Sequence, residues 1–229
     1  MNMNNSILQR IIGAYIIVGR SFGTWVSPII TGVLLLSLRI VVQLFMILDW
    51  IFYKSIRNNK VHNPIIIVGN PRSGTTFLHR YLVKLNIGTG SKLWQMIYPS
   101  VILQKIISPF LPVLEKISPT RHHSTDAHKT SLSSIETDDA SMLFRFFDGF
   151  FLYGFIFAWA KEDLFHWFDP DKRNVSQRDF NWFESMWLRI LHSSNSDRII
   201  GKLFSISANL PAFQKRFPKG KVLYMVRDP

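Results

Sequence analysis

The sequence predicts an α/β fold in which a central parallel sheet is covered by helices on both faces. Three observations carry this. Ile65–Val68 is a short, wholly apolar run that enters a glycine-bearing loop, Gly69-Asn-Pro-Arg-Ser-Gly74, and then a helical pattern. Two further strand-like runs, Arg198–Phe204 and Lys221–Val226, follow late in the chain with a helical stretch between them. Apolar strands alternating with helices are the pattern of a parallel sheet buried on both sides. The composition supports a full core, since 47% of the 229 residues are hydrophobic.

Taken in order, residues 1–60 read as a hydrophobic helical segment preceding a domain at 61–229. From Ile29 to Ile51 nearly every residue is Ile, Leu, Val, Phe or Met, which is about the length of a bilayer crossing. Arg39 lies mid-segment, and a central arginine costs about 2.5–3.5 kcal/mol on insertion scales. The apolar residues, at roughly −0.3 to −0.6 kcal/mol each, more than offset it. Three placements stay open: a spanning helix, an amphipathic helix in the interface, and a helix packed on the rest of the protein. Arg39, Gln43, Lys54 and Arg57 fall near helical spacing, and Trp25, Trp50 and Tyr53 suit a headgroup zone. Lys54, Arg57 and Lys60 crowd the carboxyl flank, which favours a membrane-associated protein with its domain on the cytosolic side. No compact small-residue cleavage site follows, against a removed signal peptide.

Asn58–Pro64 is polar and turn-prone and makes a boundary. Thr75–Leu85 reads as a helix, with Phe77, Leu78, Tyr81, Leu82 and Leu85 at helical spacing. Residues 91–120 are broken by Pro99, Pro109, Pro112 and Pro119 into short helices, and 121–139 is a polar loop. Met142–Ala160 is dense in aromatic residues. Its run from Gly149 is too short to span a bilayer and predicts a buried helix, with an aromatic acceptor pocket or a membrane-facing surface as the functional alternatives. Asp169–Arg173 is a turn. Phe180–His192 is a helix burying Trp182, Phe183, Met186, Trp187 and Ile190, and another runs through Pro211 to Phe217. Lys221–Val226 is expected to be a buried strand.

Net charge is +12, which suits an anionic ligand or an anionic membrane surface. A nucleic-acid partner is not expected, because no basic run interleaves with aromatics. There is no cysteine, so disulfides and thiolate metal sites are excluded. His122 and His123 are neighbours and no His-Glu-x-x-His spacing occurs, so no metal site is expected.

Strand, glycine loop and helix together make an anion cradle, because first-turn N–H groups lack partners within the helix and the helix dipole favours negative charge there. The usual nucleotide version is Gly-x-x-x-x-Gly-Lys-Ser/Thr. Here Thr75 stands in the lysine's place and Arg72 sits inside the loop. The missing lysine argues for a donor with a different phosphate chain from ATP.

Gly69-Asn-Pro-Arg-Ser-Gly-Thr-Thr-Phe-Leu-His79 resembles the 5′-phosphosulfate loop of the sulfotransferases. Phe217–Pro229 is similar to that family's second core strand, which ends in Arg-Asp-Pro, and Ile135-Glu-Thr-Asp-Asp139 resembles the acidic element of its bacterial type, often preceded by a histidine such as His128. The resemblance implies a P-loop NTPase-like three-layer fold and the donor 3′-phosphoadenosine 5′-phosphosulfate (PAPS), with no metal. It implies that Asn70, Pro71, Arg72, Ser73, Gly74, Thr75 and Thr76 hold the 5′-phosphosulfate and that Arg227 meets the 3′-phosphate. Glu136, with His128 second, is the implied base that activates the acceptor. A helix cap is the plainer role for Glu136, and a structural one for His79. Many relatives carry Leu-Lys-Ser-Pro before the helix leading to the second strand. Here Leu203-Phe-Ser-Ile206 stands there, so that lysine is expected to be missing. The family's 3′-phosphate serine would fall past Pro229, so the domain reads as incomplete at its carboxyl end.

The expected function is transfer of a sulfuryl group to a hydroxyl or amine of a small-molecule, lipid or glycan acceptor. Arginine keeps its proton, so Arg72 is expected to act by electrostatics on the leaving oxygen. The alternatives are a P-loop kinase or nucleotidase, and a catalytically inactive membrane-associated interaction protein.

Overall fold

The computed structural model describes residues 6–70, 72–120, 130–194 and 196–227. In chain order the elements are α1 (Ile7–Phe22), α2 (Ser27–Phe52), α3 (Lys54–Asn58), β1 (Ile65–Gly69), α4 (Thr75–Lys84), α5 (Leu93–Ile97), α6 (Val101–Ile107), α7 (Leu111–Ile117), α8 (Ala140–Phe146), α9 (Ser176–Ser194), β2 (Ile200–Lys202), α10 (Leu210–Arg216) and β3 (Lys221–Met225). Among the described residues the sheet is three-stranded and parallel, in the order β2-β1-β3.

Strand alternation separates two cores. Ile65, Ile67 and Ile200 face α4, against Leu78, Leu82 and Val83. Ile66, Val68, Ile199 and Leu203 face the other way, against Phe183, Met186, Trp187 and Ile190 of α9. The sheet is thus sandwiched between helices, as the continuous apolar runs require. The register sets Ile65 opposite both Ile200 and Lys221. The carboxyl ends of β1 and β2 therefore lie together, where open α/β sheets bind ligands.

Three expectations need correction. The predicted helix over Met142–Ala160 is broken. α8 ends at Phe147, which takes φ 50°, and Gly149 takes φ 86° before a π-helical turn at Leu152–Ile156 and a 3₁₀ turn at Phe157–Trp159. The Arg198–Phe204 strand shortens to Ile200–Lys202, because the amides of Phe204 and Ser205 donate to the Asp139 carboxylate instead of to a neighbouring strand. β3 is largely exposed, not buried: Val222 and Met225 pack against the two cores, while Lys221, Leu223 and Tyr224 stay exposed. The expected helix through Pro211 is present as α10, capped by Asn209, with Pro211 in its first turn.

The amino-terminal helices join this body. Val42 and Met46 of α2 belong to the same core as Ile66 and Trp187. Asp49 is fully buried and accepts from Ser100 Oγ (3.0 Å), the amides of Val101 and Ile102 (2.9 and 3.1 Å) and Arg189 Nε (2.9 Å). It thereby ties α2 to the start of α6 and to α9. α1, which the apolar-run reading passed over, opens with a Ser6–Gln9 capping box visible in the sequence.

Candidate active site

The site forms where β1 turns into α4. Gly69 takes φ 153°, and a Cβ there would sit 2.6 Å from the Met225 carbonyl oxygen, so β3 leaves room only for glycine. Ser73 Oγ donates to the Asn70 carbonyl at 2.7 Å and closes the loop on itself. Gly74 is the left-handed N-cap of α4, and no side chain caps that helix. Its first turn, led by the buried Thr75, therefore presents backbone N–H groups in the manner of an anion site. Arg72 is exposed with φ 67°, and its carbonyl accepts from Arg227 Nη1 at 3.3 Å. Arg227, from the far side of β3, thus shares a rim with the loop. Pro71 and His128 lie outside the described residues.

A lysine is present where the sequence reading expected none. Lys202 ends β2, two residues after Ile200, so alternation turns its side chain to the α4 face. Its Nζ donates to Thr76 Oγ1 at 2.8 Å and lies 5.5 Å from the centre of the Phe204 ring. Lys202 stands two residues before Phe204, which occupies the position of the lysine missing from Leu203-Phe-Ser-Ile206. The signal was available: a cation at the carboxyl end of a predicted parallel strand. Burial lowers the Lys202 pKa below the ordinary lysine value, against the opposing pull of Glu136, Asp139 and Asp138.

The acidic element explains why that lysine is held so firmly. The Asp138 amide donates to the Lys202 carbonyl at 2.9 Å, while the Lys202 amide donates to Asp138 Oδ2 at 2.9 Å. Asp138 also accepts from Trp187 Nε1 at 2.9 Å and from Ser91 Oγ. Burial pushes its carboxyl up to about 6, although these three donors pull it down. Asp139 likewise fixes the amides of Phe204 and Ser205. Both aspartates therefore set the end of β2. Glu136 lies outside α8, which begins at Ala140, so it does not cap that helix. Its carboxylate takes Arg80 Nη2 at 2.9 Å, one turn along α4 from Thr76. His79 is fully buried, donates through Nε2 to the Ile200 carbonyl at 2.7 Å, and is brought by burial to about 4, so it is neutral.

Beside the loop opens a cleft of about 550 Å³, lined by Gly69, Asn70, Phe150, Phe165, Phe168 and Phe204 together with the charged Asp163, Asp169, Asp171 and Lys172. Phe150 meets Phe204 at 5.1 Å and Phe168 at 6.2 Å, so these three rings form one connected part of the wall. The cleft ends at Phe204, the residue under the Lys202 amino group.

Comparison with known proteins agrees with this geometry. Residues 64–229 match the sulfotransferase family. Among solved structures the chain resembles sulfotransferase STF1 from Mycobacterium tuberculosis H37Rv, with TM-score 0.62 and 21% identity over 96% of this chain and 60% of that one. It also resembles sulfotransferase STF9 from Mycobacterium avium, with TM-score 0.53 and 17% identity over 80% of this chain and 47% of that one. The chain thus spans 60% and 47% of the lengths of these two structures. At these identities the likeness is one of fold. No curated protein matches the chain by sequence.

Proposed function

Because the chain belongs to the sulfotransferase family, we propose that it transfers a sulfuryl group from PAPS to a hydroxyl or amine of its acceptor. The observation that carries this reading is the Lys202 amino group on Thr76 Oγ1, in the first turn of a helix that begins with a glycine cap. When bound, the donor supplies the sulfuryl group and departs as its 3′,5′-bisphosphate. The loop from Asn70 to Thr76 binds the 5′ end through backbone N–H groups and the hydroxyls of Ser73, Thr75 and Thr76. Arg227 takes the 3′-phosphate.

Charge builds on the leaving oxygen as its bond to sulfur breaks, and Lys202 and Arg72 act there. Arg72 stabilises that charge and keeps its proton. Lys202, whose burial weakens its hold on a proton, both stabilises the charge and can hand the proton over. Glu136 is assigned as the base that removes the acceptor's proton. Its pairing with Arg80 holds it beside α4, and it is close enough to Lys202 to act on that amine's charge. The acceptor enters by this cleft, whose phenylalanines suit an apolar body and whose Asp163, Asp169, Asp171 and Lys172 suit polar groups beside the reacting hydroxyl. The long apolar α2 associates the protein with a membrane.

The test is transfer of labelled sulfate from PAPS to a panel of lipid, phenolic and glycan acceptors by the full-length protein. Arg72→Ala and Glu136→Gln should each lower turnover while donor binding persists in Glu136→Gln. Turnover unchanged in either variant would refute its assigned role, and no transfer to any acceptor would refute the reading.

A further inference from the structure

α2 is the one described helix long and apolar enough to cross a membrane, yet the chain on both sides of it is fixed to the same body. After its middle, Val42 and Met46 enter the main core and Asp49 pairs with Arg189. Before it, α1 is docked on that body too. Arg10 Nε donates to the Phe147 carbonyl at 2.8 Å, Ala14 is buried with Leu152, Tyr153 and Phe157, and the Phe22 ring meets Trp159 at 5.2 Å. A helix that crosses a bilayer once puts the preceding and following chain on opposite sides. Here they touch one folded unit, so α2 has no single crossing to make.

The free length agrees. From Ser27 to Val41, before the first buried residue, α2 rises about 22 Å at 1.5 Å per residue. The hydrocarbon core of a bilayer is about 30 Å. The match to STF1 covers 96% of the chain, which leaves too few residues to omit either helix from the shared fold.

The outer surface of α2 is nevertheless strongly apolar. Ile29, Ile30, Val33, Leu34, Leu36 and Ile40 are each more than half exposed. Isolated apolar residues on a surface need no explanation, but a contiguous patch marks a contact. Its carboxyl end carries cations set on aromatic rings. The Arg57 guanidinium lies 5.4 Å from the centre of the Trp50 ring, and Lys105 Nζ donates to Tyr53 Oη at 3.0 Å. Aromatic residues with cations beside them match the headgroup zone, and a chain of net charge +12 complements anionic lipid. We infer that the outer face of α2 seats in one leaflet of an anionic membrane without crossing it, so that α1 and the α/β body stay on the same side.

The chain has no cysteine, so single-cysteine variants report without background. An environment-sensitive fluorophore on Val33→Cys should shift to the blue with vesicles containing phosphatidylglycerol. Binding should be at least about tenfold weaker to pure phosphatidylcholine. The double variant Val33→Asp, Leu34→Asp should lose vesicle binding while keeping its circular-dichroism spectrum. In sealed membranes from expressing cells, an impermeant maleimide should reach Ser6→Cys and Lys219→Cys from the same side. Reaction from opposite sides would show a crossing. A Val33 label that stays water-like with both vesicles would show that no bilayer covers the face, and equal binding to both vesicles would remove the role of anionic lipid. Each of these results overturns the inference, and none depends on the sulfotransferase reading.

Discussion

Lys202 is almost wholly buried, and its position rests on Asp138, which holds both its amide and its carbonyl. Two predictions belong at this scale. Lys202→Met keeps the stem but removes the amino group, and should lower turnover by about 100-fold or more, the size of effect seen when one charge-stabilising donor is removed. Asp138→Asn leaves an amide unable to accept from all three donors around it, and should cost about 1–3 kcal/mol in a denaturant titration. It should also lower turnover more than donor affinity, because the lysine loses its alignment. The strand, glycine loop and helix at 65–84 were legible in the sequence, since an apolar run entering two glycines and then a helical pattern marks that junction. Lys202 was not, because it was read as part of a longer strand. The strand stops there only because Asp139 takes the next amides, a contact 65 residues apart in sequence.

Among the elements, α4 has its expected bounds but exposes Phe77, Tyr81 and Leu85 of its apolar set and turns Leu78, Leu82 and Val83 to the sheet. β1 and α9 could be read from periodicity alone, since each buries a face whose pattern is local. The break after α8 could not. Phe147 turns left-handed at a point where its carbonyl is taken by Arg10, a residue of α1 that lies 137 positions earlier. Gly69 illustrates the opposite case, in which sequence and structure agree. Gly69→Ala would drive a Cβ to 2.6 Å from the Met225 backbone, so either the loop or β3 must move. Donor binding should weaken while the helix content measured by circular dichroism is kept. The joint between α2 and α9 gives a further prediction. Asp49→Ala leaves Arg189 buried without its carboxylate and removes the acceptor at the start of α6. It should cost about 3–5 kcal/mol in a urea titration, whereas removing the exposed Lys54 side chain should cost little.

At the scale of the whole molecule, Asp148 joins the amino-terminal helices to the body. It pairs with Arg173 just before α9, with Arg178 (2.8 Å) in the first turn of α9, and with Arg10 (3.8 Å) of α1. Burial alone would raise its pKa, but the three guanidiniums, Arg173 foremost, outweigh burial and hold the carboxyl at about 2. A folded pKa below the unfolded value means the unfolded chain binds more protons as pH falls. This carboxylate therefore contributes its full stability above about pH 4 and loses it on acidification through pH 2, by roughly 2 kcal/mol. Urea titrations at pH 5 and pH 2.5 should show this loss in the wild type and a smaller one in Asp148→Asn. If the slopes are equal, Asp148 does not join these segments electrostatically.

The proposed function requires that the loop after β1, Lys202 and Arg227 bind a sulfuryl donor in preference to a nucleoside triphosphate. Titration calorimetry of the full-length protein with adenosine 3′,5′-bisphosphate tests it most directly. The expected result is binding without magnesium, tighter than to ATP, and weakened about tenfold or more, equivalent to about 1.4 kcal/mol, in Arg227→Ala. Absence of binding, or a preference for ATP with magnesium, would contradict it.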